Sequence, residues 1–222
     1  MDAAAAAEQH PPVTDTERVA TRIAGLCLDR AGHLPDNAYL AMAVRGGLLI
    51  DLALAGRLAQ TEDSIDVDSA LVGWAPADRA LAELRALDGQ SLDWWLEHSE
   101  LGLADLARAQ VEDRAWEQLP PHARLLRPRY AERNTGQRTH DLALLTQSQA
   151  PSTVEDAAVV SIAAAAGPPS RRSPQRIEEL LARTGPVRWV CELVIDDISS
   201  ARDTGTAVAM ASEVALLSGI VP

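Results

Sequence analysis

Three residues, Arg45, Gly46 and Gly47, interrupt a strongly apolar stretch of the chain. The apolar spacing around them predicts one long helix from residue 36 or 37 to residue 55, with these three in its middle. Each interior glycine costs roughly 0.8–1 kcal/mol relative to alanine, so the pair indicates a close backbone approach, in the first place from a packed helix. Two positions without side chains would also leave room for an anion to reach the Arg45 guanidinium.

A group of arginines forms a second candidate site on an otherwise acidic chain. The 222 residues carry 20 basic and 32 acidic side chains, and the formal charge is −12. Residues 124–140 contain one acidic residue, Glu132, and five arginines: Arg124, Arg127, Arg129, Arg133 and Arg138. Such runs usually mark a solvated face, but the planar guanidinium suits phosphate oxygens. Because salt screens charges that lie more than a Debye length of about 8 Å apart, such a patch can attract an anion although the rest of the surface is acidic.

Most enzyme classes are excluded by what the sequence lacks. The chain contains no lysine, which excludes a Walker A motif, a pyridoxal phosphate Schiff base and a kinase strand lysine. It has no GxSxG or GxGxxG motif, and its five histidines show no ligand spacing, so neither a metal nor a cofactor is expected. The adjacent pair Asp196 and Asp197 is interpreted as solvated surface charge. The sequence predicts a protein that is not an enzyme.

The remaining special residues are interpreted as structural. Cys27 and Cys191 lie in apolar surroundings far apart in the sequence, which is typical of buried thiols in a reducing compartment. Trp94 and Trp95 are expected in the core of a chain without phenylalanine. The amino terminus lacks the pattern of a signal peptide, and no apolar stretch approaches the roughly 20 residues of a membrane-spanning helix. A cytoplasmic location is therefore expected.

Helical periodicity dominates the chain and predicts a mainly α fold in a single domain, with one or two short β-hairpins. A capping box at Thr14 and Glu17 is expected to open the domain after a leader of residues 1–13. Further helices are predicted over residues 19–28, 78–87, 92–97, 101–119, 154–166, 175–183, 187–198 and 207–217. A hairpin is predicted over residues 57–68 and a strand or wing over residues 124–130. The domain is expected to end at residue 198, followed by an extension over residues 199–222.

The segment from Val44 to Leu58 resembles the signature helix of the Golgi phosphoprotein family. That family includes the eukaryotic Golgi adaptors that read phosphatidylinositol 4-phosphate, and bacterial relatives; the alanine-rich, lysine-free composition is typical of a GC-rich bacterial genome. Weaker similarity extends over about residues 15–198. The resemblance implies a bundle of four core helices wrapped by amphipathic helices, with a hairpin that dips into the membrane.

The resemblance also implies a headgroup site. The family pocket uses a tryptophan and an arginine around the start of the signature helix, and two basic residues from a later helix. Arg45 matches the arginine, whereas Asp36 and its neighbours stand where the tryptophan is expected. The residues expected to bind an anionic, phosphoinositide-like headgroup are Arg45, Arg108 and Arg114, with Arg124, Arg127 and Arg129 as an auxiliary basic patch. Leu125 and Leu126 are the candidates for apolar insertion into the bilayer.

Two other functions remain open from the sequence. A soluble interaction or regulatory protein could keep this fold without lipid binding, and the missing tryptophan favours that alternative. A winged-helix nucleic-acid binder, with residues 124–130 as its wing, is disfavoured by the charge of −12 and by the lack of a basic recognition helix. The favoured hypothesis is a non-enzymatic peripheral membrane adaptor at the inner face of a membrane, with an anionic phospholipid headgroup and a protein as partners.

Overall fold

Nine α-helices and two short hairpins make up the described part of the chain. The computed structural model describes residues 18–61, 64–120, 127–167 and 173–217, with side chains described as far as residue 204. The helices are α1 (Val19–Cys27), α2 (Ala38–Leu54), α3 (Ala75–Arg85), α4 (Leu92–His98), α5 (Leu103–Glu112), α6 (Gly136–Leu145), α7 (Val154–Ala166), α8 (Pro174–Leu181) and α9 (Arg188–Leu217). The strands are β1 (Leu58–Gln60), β2 (Ile65–Val67), β3 (Trp116–Leu119) and β4 (Arg129–Glu132). The predicted mainly α class with short hairpins is confirmed.

Four helices, α1, α2, α7 and α9, form the centre of the molecule. Helix α2 contacts each of the other three, and α7 contacts both α1 and α9. Helix α2 is apolar on nearly all sides from Met42 to Leu52 and is therefore buried along most of its length. Helix α7 is rich in alanine, which lets its neighbours approach closely. The remaining helices pack around this centre, in agreement with the architecture that the resemblance implied.

Gly46 and Gly47 lie at the two closest helix contacts of the core. A Cβ atom at Gly46 would lie 2.4 Å from Val194 Cγ1 on α9, and one at Gly47 would lie 2.6 Å from Ala20 Cα on α1. The interpretation of the glycine pair as a packing device is confirmed. The same distances correct the idea of an open space for an anion beside Arg45, because Val194 and Ala20 fill the positions that the missing side chains leave.

Helix α1 is capped from outside its own segment. Arg18 occupies the N-cap position, and the Asp51 carboxylate on α2 accepts hydrogen bonds from the backbone N–H groups of Val19 at 2.8 Å and Ala20 at 3.1 Å. Burial raises the pKa of Asp51 to about 7, against the lowering effect of these two bonds. The predicted capping box at Thr14 lies outside the described residues, as does the leader of residues 1–13.

The helix predicted over residues 101–119 is wrong in its second half. Helix α5 ends at Glu112, and Arg114 has a φ of 60°, a left-handed conformation that a continuing helix does not allow. The chain then enters β3, which pairs antiparallel with β4 in the register Trp116 to Glu132 and Leu119 to Arg129. Trp116 is buried in the core. The strand predicted over residues 124–130 is present as β4, shifted towards the C-terminus.

Three smaller expectations are also corrected. Trp95 is buried as predicted, but Trp94 is 41% exposed and stacks on His98 with ring centroids 4.6 Å apart. Asp197 is nearly buried instead of solvated. The two helices predicted after residue 187 are one continuous helix, α9, and α6 was not predicted. Among the cysteines, Cys191 is buried as expected and Cys27 is partly buried.

The start of β4, next to the loop of the β3–β4 hairpin, is attached to the connection between α1 and α2. Tyr130 N–H donates to Gly32 O at 2.7 Å, Arg129 Nε donates to Ala31 O at 2.8 Å, and His33 forms a β-bridge with Arg129. Residues 121–126, which connect the two strands in the sequence and include Arg124, Leu125 and Leu126, lie outside the described residues. Within the described chain, every helix is too short or too polar to cross a membrane.

Candidate functional site

A cavity of about 480 Å³ lies where the start of β4, at the base of the loop of the hairpin, meets the starts of α2 and α5. We call it the hairpin-base cavity. Its walls are three segments, residues 34–41, residues 100–105 and residues 127–130. The volume falls within the range of roughly 300–1,000 Å³ that is typical of small-molecule sites.

Two of these walls are shaped by helix caps. The Asn37 side chain accepts hydrogen bonds from the N–H groups of Tyr39 at 2.9 Å and Leu40 at 3.2 Å, which starts α2 at the cavity. The Asp105 carboxylate accepts from Gly102 N–H at 3.1 Å at the start of α5. Both helix N-termini therefore border the cavity with some of their N–H groups already bound by side chains.

The charged side chains of the cavity have unequal environments. Asp105 lies 3.3 Å from Arg79 and 3.6 Å from Arg108, so nearby guanidinium groups compensate its charge. In contrast, Asp36, Glu100 and Arg127 are exposed. Within residues 18–61, 64–120 and 127–167, these three side chains form no hydrogen bond or ion pair. They are the charges that a ligand in the cavity would meet.

Arg45 lies one turn beyond the cavity-lining Ala41 on α2 and holds the opposite wall in place. Its Nε donates to Leu101 O at 2.6 Å, and its Nη1 donates to Leu96 O at 2.6 Å and Glu97 O at 3.3 Å. Leu96 and Glu97 belong to the C-terminal turn of α4, whose carbonyls have no partner inside the helix. Burial lowers the pKa of Arg45, and Glu83 partly opposes that effect. Among the described residues no carboxylate lies within ion-pair distance of this guanidinium.

The other predicted arginines are distributed unequally around the cavity. Arg127 lines it, and the largely exposed Arg108 lies at its rim beside Asp105. Arg114 follows the far end of α5 and is not brought to the cavity. Arg129 is engaged with the carbonyls of Ala31 and Pro120. Arg124 lies outside the described residues.

A comparison with models of protein families shows which family the chain belongs to. The model of the family described as Golgi phosphoprotein 3 (GPP34) matches residues 26–201. The chain belongs to this family. None of the curated proteins is significantly similar to it. The Golgi phosphoprotein match contains all three walls of the hairpin-base cavity, so the cavity is built entirely from the family domain.

Within this Golgi phosphoprotein domain, the sequence analysis missed a buried ion network behind the hairpin. Arg22 on α1 is 6% exposed, and its Nη2 lies 2.6 Å from both Asp141 Oδ1 and Asp156 Oδ1. His140 Nε2 lies 3.1 Å from the same Asp156 oxygen. Although burial acts in the opposite direction, hydrogen bonds from Arg22, Ser152 and His140 hold the pKa of Asp156 well below its ordinary value. The available signal was an arginine inside an apolar helix.

The same network contains the one metal-like grouping among the described residues. Donor atoms of His140, Asp141 and Asp156 lie within 4.8 Å of one another. Arg22 Nη2 already contacts both carboxylates and supplies the positive charge that a cation would bring. The arrangement therefore works as a structural ion network that joins α1, α6 and α7.

Arg45→Met is expected to lower the free energy of unfolding by about 2 kcal/mol, because it leaves the carbonyls of Leu96 and Leu101 without their donor. Equilibrium urea denaturation measures this change. The control is Arg133→Met, which removes an exposed guanidinium with no side-chain partner among the described residues. Equal, small losses for both variants would show that Arg45 does not fix the α4–α5 wall.

Proposed function

We propose that this Golgi phosphoprotein family member is a non-enzymatic adaptor that binds a phosphate-bearing lipid headgroup in the hairpin-base cavity at a membrane surface. The observation that carries the proposal is the exposed Arg127 in the wall of a cavity beside a hairpin loop, where no other described residue binds its guanidinium. A free guanidinium binds phosphate oxygens with two parallel hydrogen bonds. Family membership supports the adaptor role.

Arg45 and Arg108 support Arg127 in different ways. The rim position of Arg108 lets it approach an oxygen at the mouth of the cavity, with Asp105 as its present neighbour. Arg45 fixes residues 96–101, which lead into the second wall.

Headgroup contacts alone would give weak attachment. Each basic residue near an anionic surface contributes about 1 kcal/mol, and this contribution falls as salt rises. Firm binding therefore needs an apolar insertion as well. In this proposal Leu125 and Leu126, between the two strands of the hairpin in the sequence, supply it, and Arg124 adds a basic contact.

Arg127→Gln is expected to weaken vesicle binding about fivefold, the ratio that corresponds to the loss of one basic contact. The measurement is co-sedimentation with vesicles of phosphatidylethanolamine and phosphatidylglycerol at low and at physiological salt. Arg85→Gln is the matched control, because it removes an exposed arginine that lies outside the cavity. If Arg127→Gln binds like the parent chain, the cavity is not the site; if the parent binds no vesicle, the membrane adaptor proposal fails.

A second candidate function, a soluble protein-interaction adaptor, is favoured by a separate surface. The exposed Trp94 ring stacks on His98 beside the carboxylates of Asp93 and Glu97. Burial and the negative charges of these two residues raise the pKa of Asp197 to about 6, so the three carboxylates act on one another. Absence of lipid-dependent sedimentation, together with a partner whose binding is lost in Trp94→Ala, would favour this function.

A further inference from the structure

We infer that the hairpin-base cavity selects a zwitterionic headgroup, a phosphodiester that also carries a primary ammonium group, over headgroups whose charge is only negative. This inference rests on the proposed function, because it concerns the ligand of the same cavity. It assigns a distinct role to each unpaired charge in the walls.

The cavity presents more negative than positive charge. Three carboxylates and one guanidinium line it, those of Asp36, Glu100, Asp105 and Arg127. Arg79 and Arg108 compensate Asp105 together with Glu83, which also pairs with Arg79. This leaves Asp36 and Glu100 against Arg127. A headgroup with several phosphate charges would be repelled by the two free carboxylates. A headgroup with one phosphate and one ammonium group pairs with both signs.

The helix N-termini do not reverse this balance. An uncapped helix N-terminus attracts anions through its free N–H groups. At α2 the Asn37 side chain occupies the N–H groups of Tyr39 and Leu40. At α5 no side chain caps the first turn, and the Asp105 carboxylate, which accepts from Gly102 N–H, places a negative charge beside it. The first turn of α5 therefore adds to Arg127 on the phosphate side, but it carries no full charge against the two carboxylates.

The uncharged lining fits the ammonium end of such a headgroup. The partly buried Tyr130 lines the cavity, together with Leu34, Pro35 and Pro128. Aromatic rings attract cations, and apolar side chains accommodate a short methylene link. A primary ammonium has three N–H donors for carboxylate acceptors, whereas a quaternary ammonium has none. The cavity therefore favours an ethanolamine-type group over a choline-type group.

Vesicles of phosphatidylcholine that contain equal mole fractions of phosphatidylethanolamine, phosphatidylglycerol or phosphatidylinositol 4-phosphate provide the test. The parent chain is expected to bind the phosphatidylethanolamine vesicles about fivefold more tightly than either of the others, the ratio for one exposed ion pair. The double variant Asp36→Asn/Glu100→Gln is expected to lose this preference and bind the anionic vesicles better. Asp88→Asn/Glu112→Gln, with the same charge change outside the cavity, is expected to keep it.

The outcomes separate the inference from the proposed function. Tighter binding of either anionic vesicle by the parent chain would overturn the inference and leave the headgroup proposal standing. Absence of binding to every vesicle and to soluble glycerophosphoethanolamine would overturn both. In a calorimetric titration, soluble glycerophosphoethanolamine is expected to bind the parent chain and not the Asp36→Asn/Glu100→Gln variant. Binding of this soluble molecule without any vesicle binding would assign the same chemistry to a free metabolite and overturn the lipid source.

Discussion

Arg22→Met is expected to lower the free energy of unfolding at pH 7 by about 3–5 kcal/mol, the cost of removing one partner from a buried ion pair. Two carboxylates, Asp141 and Asp156, depend on this guanidinium, and both are buried. Because the arginine joins α1 to α6 and α7, its loss affects three elements at once. Urea denaturation at pH 7 measures the change.

The pH dependence of this loss has a defined sign. The folded pKa of Asp156 is lowered, so its ionised form stabilises the fold above its ordinary pKa of about 4, and this contribution disappears as the pH falls. In Arg22→Met the part of this contribution that comes from the guanidinium is missing, whereas the hydrogen bonds from Ser152 and His140 remain. The difference in the free energy of unfolding between parent and variant should therefore narrow as the pH falls from 7 towards 3.

Two further variants keep the Arg22 prediction testable. Arg188→Met removes an exposed arginine that pairs with Glu178 and Glu192, and it should change stability little. The triple variant Arg22→Met/Asp141→Asn/Asp156→Asn should recover much of the loss, because no buried charge remains unpaired. A gap of the same size at every pH, without recovery in the triple variant, would mean that Arg22 acts through packing alone.

Gly47→Ala is expected to destabilise the chain by about 2 kcal/mol, although alanine favours a helix interior by about 1 kcal/mol over glycine. The new Cβ would lie 2.6 Å from Ala20 Cα and 2.9 Å from Ala20 N, so the backbones of α1 and α2 must separate. That movement also strains the Asp51 cap of α1. The midpoint of urea denaturation reports the effect.

Two other glycine-to-alanine substitutions provide a comparison for the loss of stability in Gly47→Ala. At Gly46 the new Cβ meets the side chain of Val194, which can yield in part, so Gly46→Ala should cost less than Gly47→Ala. Nothing lies within 4 Å of the corresponding position at Gly102, and its extended backbone accepts any residue. Gly102→Ala should therefore leave stability nearly unchanged. Any other order would contradict the close α1–α2 approach as the reason for the glycine pair.

Local signals explain which elements could be predicted from the sequence. Helix α2 starts at the Asn37 cap and is followed by Gly56 in a left-handed conformation, and Ser91 caps the start of α4. Helix α7 agrees with its prediction at both ends. In each case the deciding residues are adjacent in sequence to the element that they start or end.

Non-local contacts explain where the prediction failed. The break after α5 occurs at Arg114, which is neither glycine nor proline, and β3 forms because it pairs with β4 further along the chain. Helix α9 continues past residue 198, where Arg202 donates to the carbonyls of Ala166 and Gly167 at the end of α7. A local pattern does not contain such partners.

The sequence indicated which residue types form the candidate site, but not how their side chains are arranged. The sequence identified Arg45 and Arg127 as unusual, but not that Arg45 binds three backbone carbonyls while Arg127 faces a cavity. In the Arg22 network, Asp141 lies 119 positions and Asp156 lies 134 positions from Arg22 in the sequence. No spacing rule links residues so far apart. Charge type can be read from the sequence, whereas the partner of each charge depends on the fold.

The register of the β3–β4 hairpin indicates that the length of its loop can vary in evolution, whereas the pairing of its strands cannot. Beyond the pair of Leu119 with Arg129, added residues only lengthen a loop, and doubling its length costs about 0.6 kcal/mol. A slip by one residue within the strands would instead turn Tyr130 away from the cavity. Natural variants of this domain should therefore differ in the number of residues between Leu119 and Arg127, while they keep the spacing from Arg127 to the strand β4.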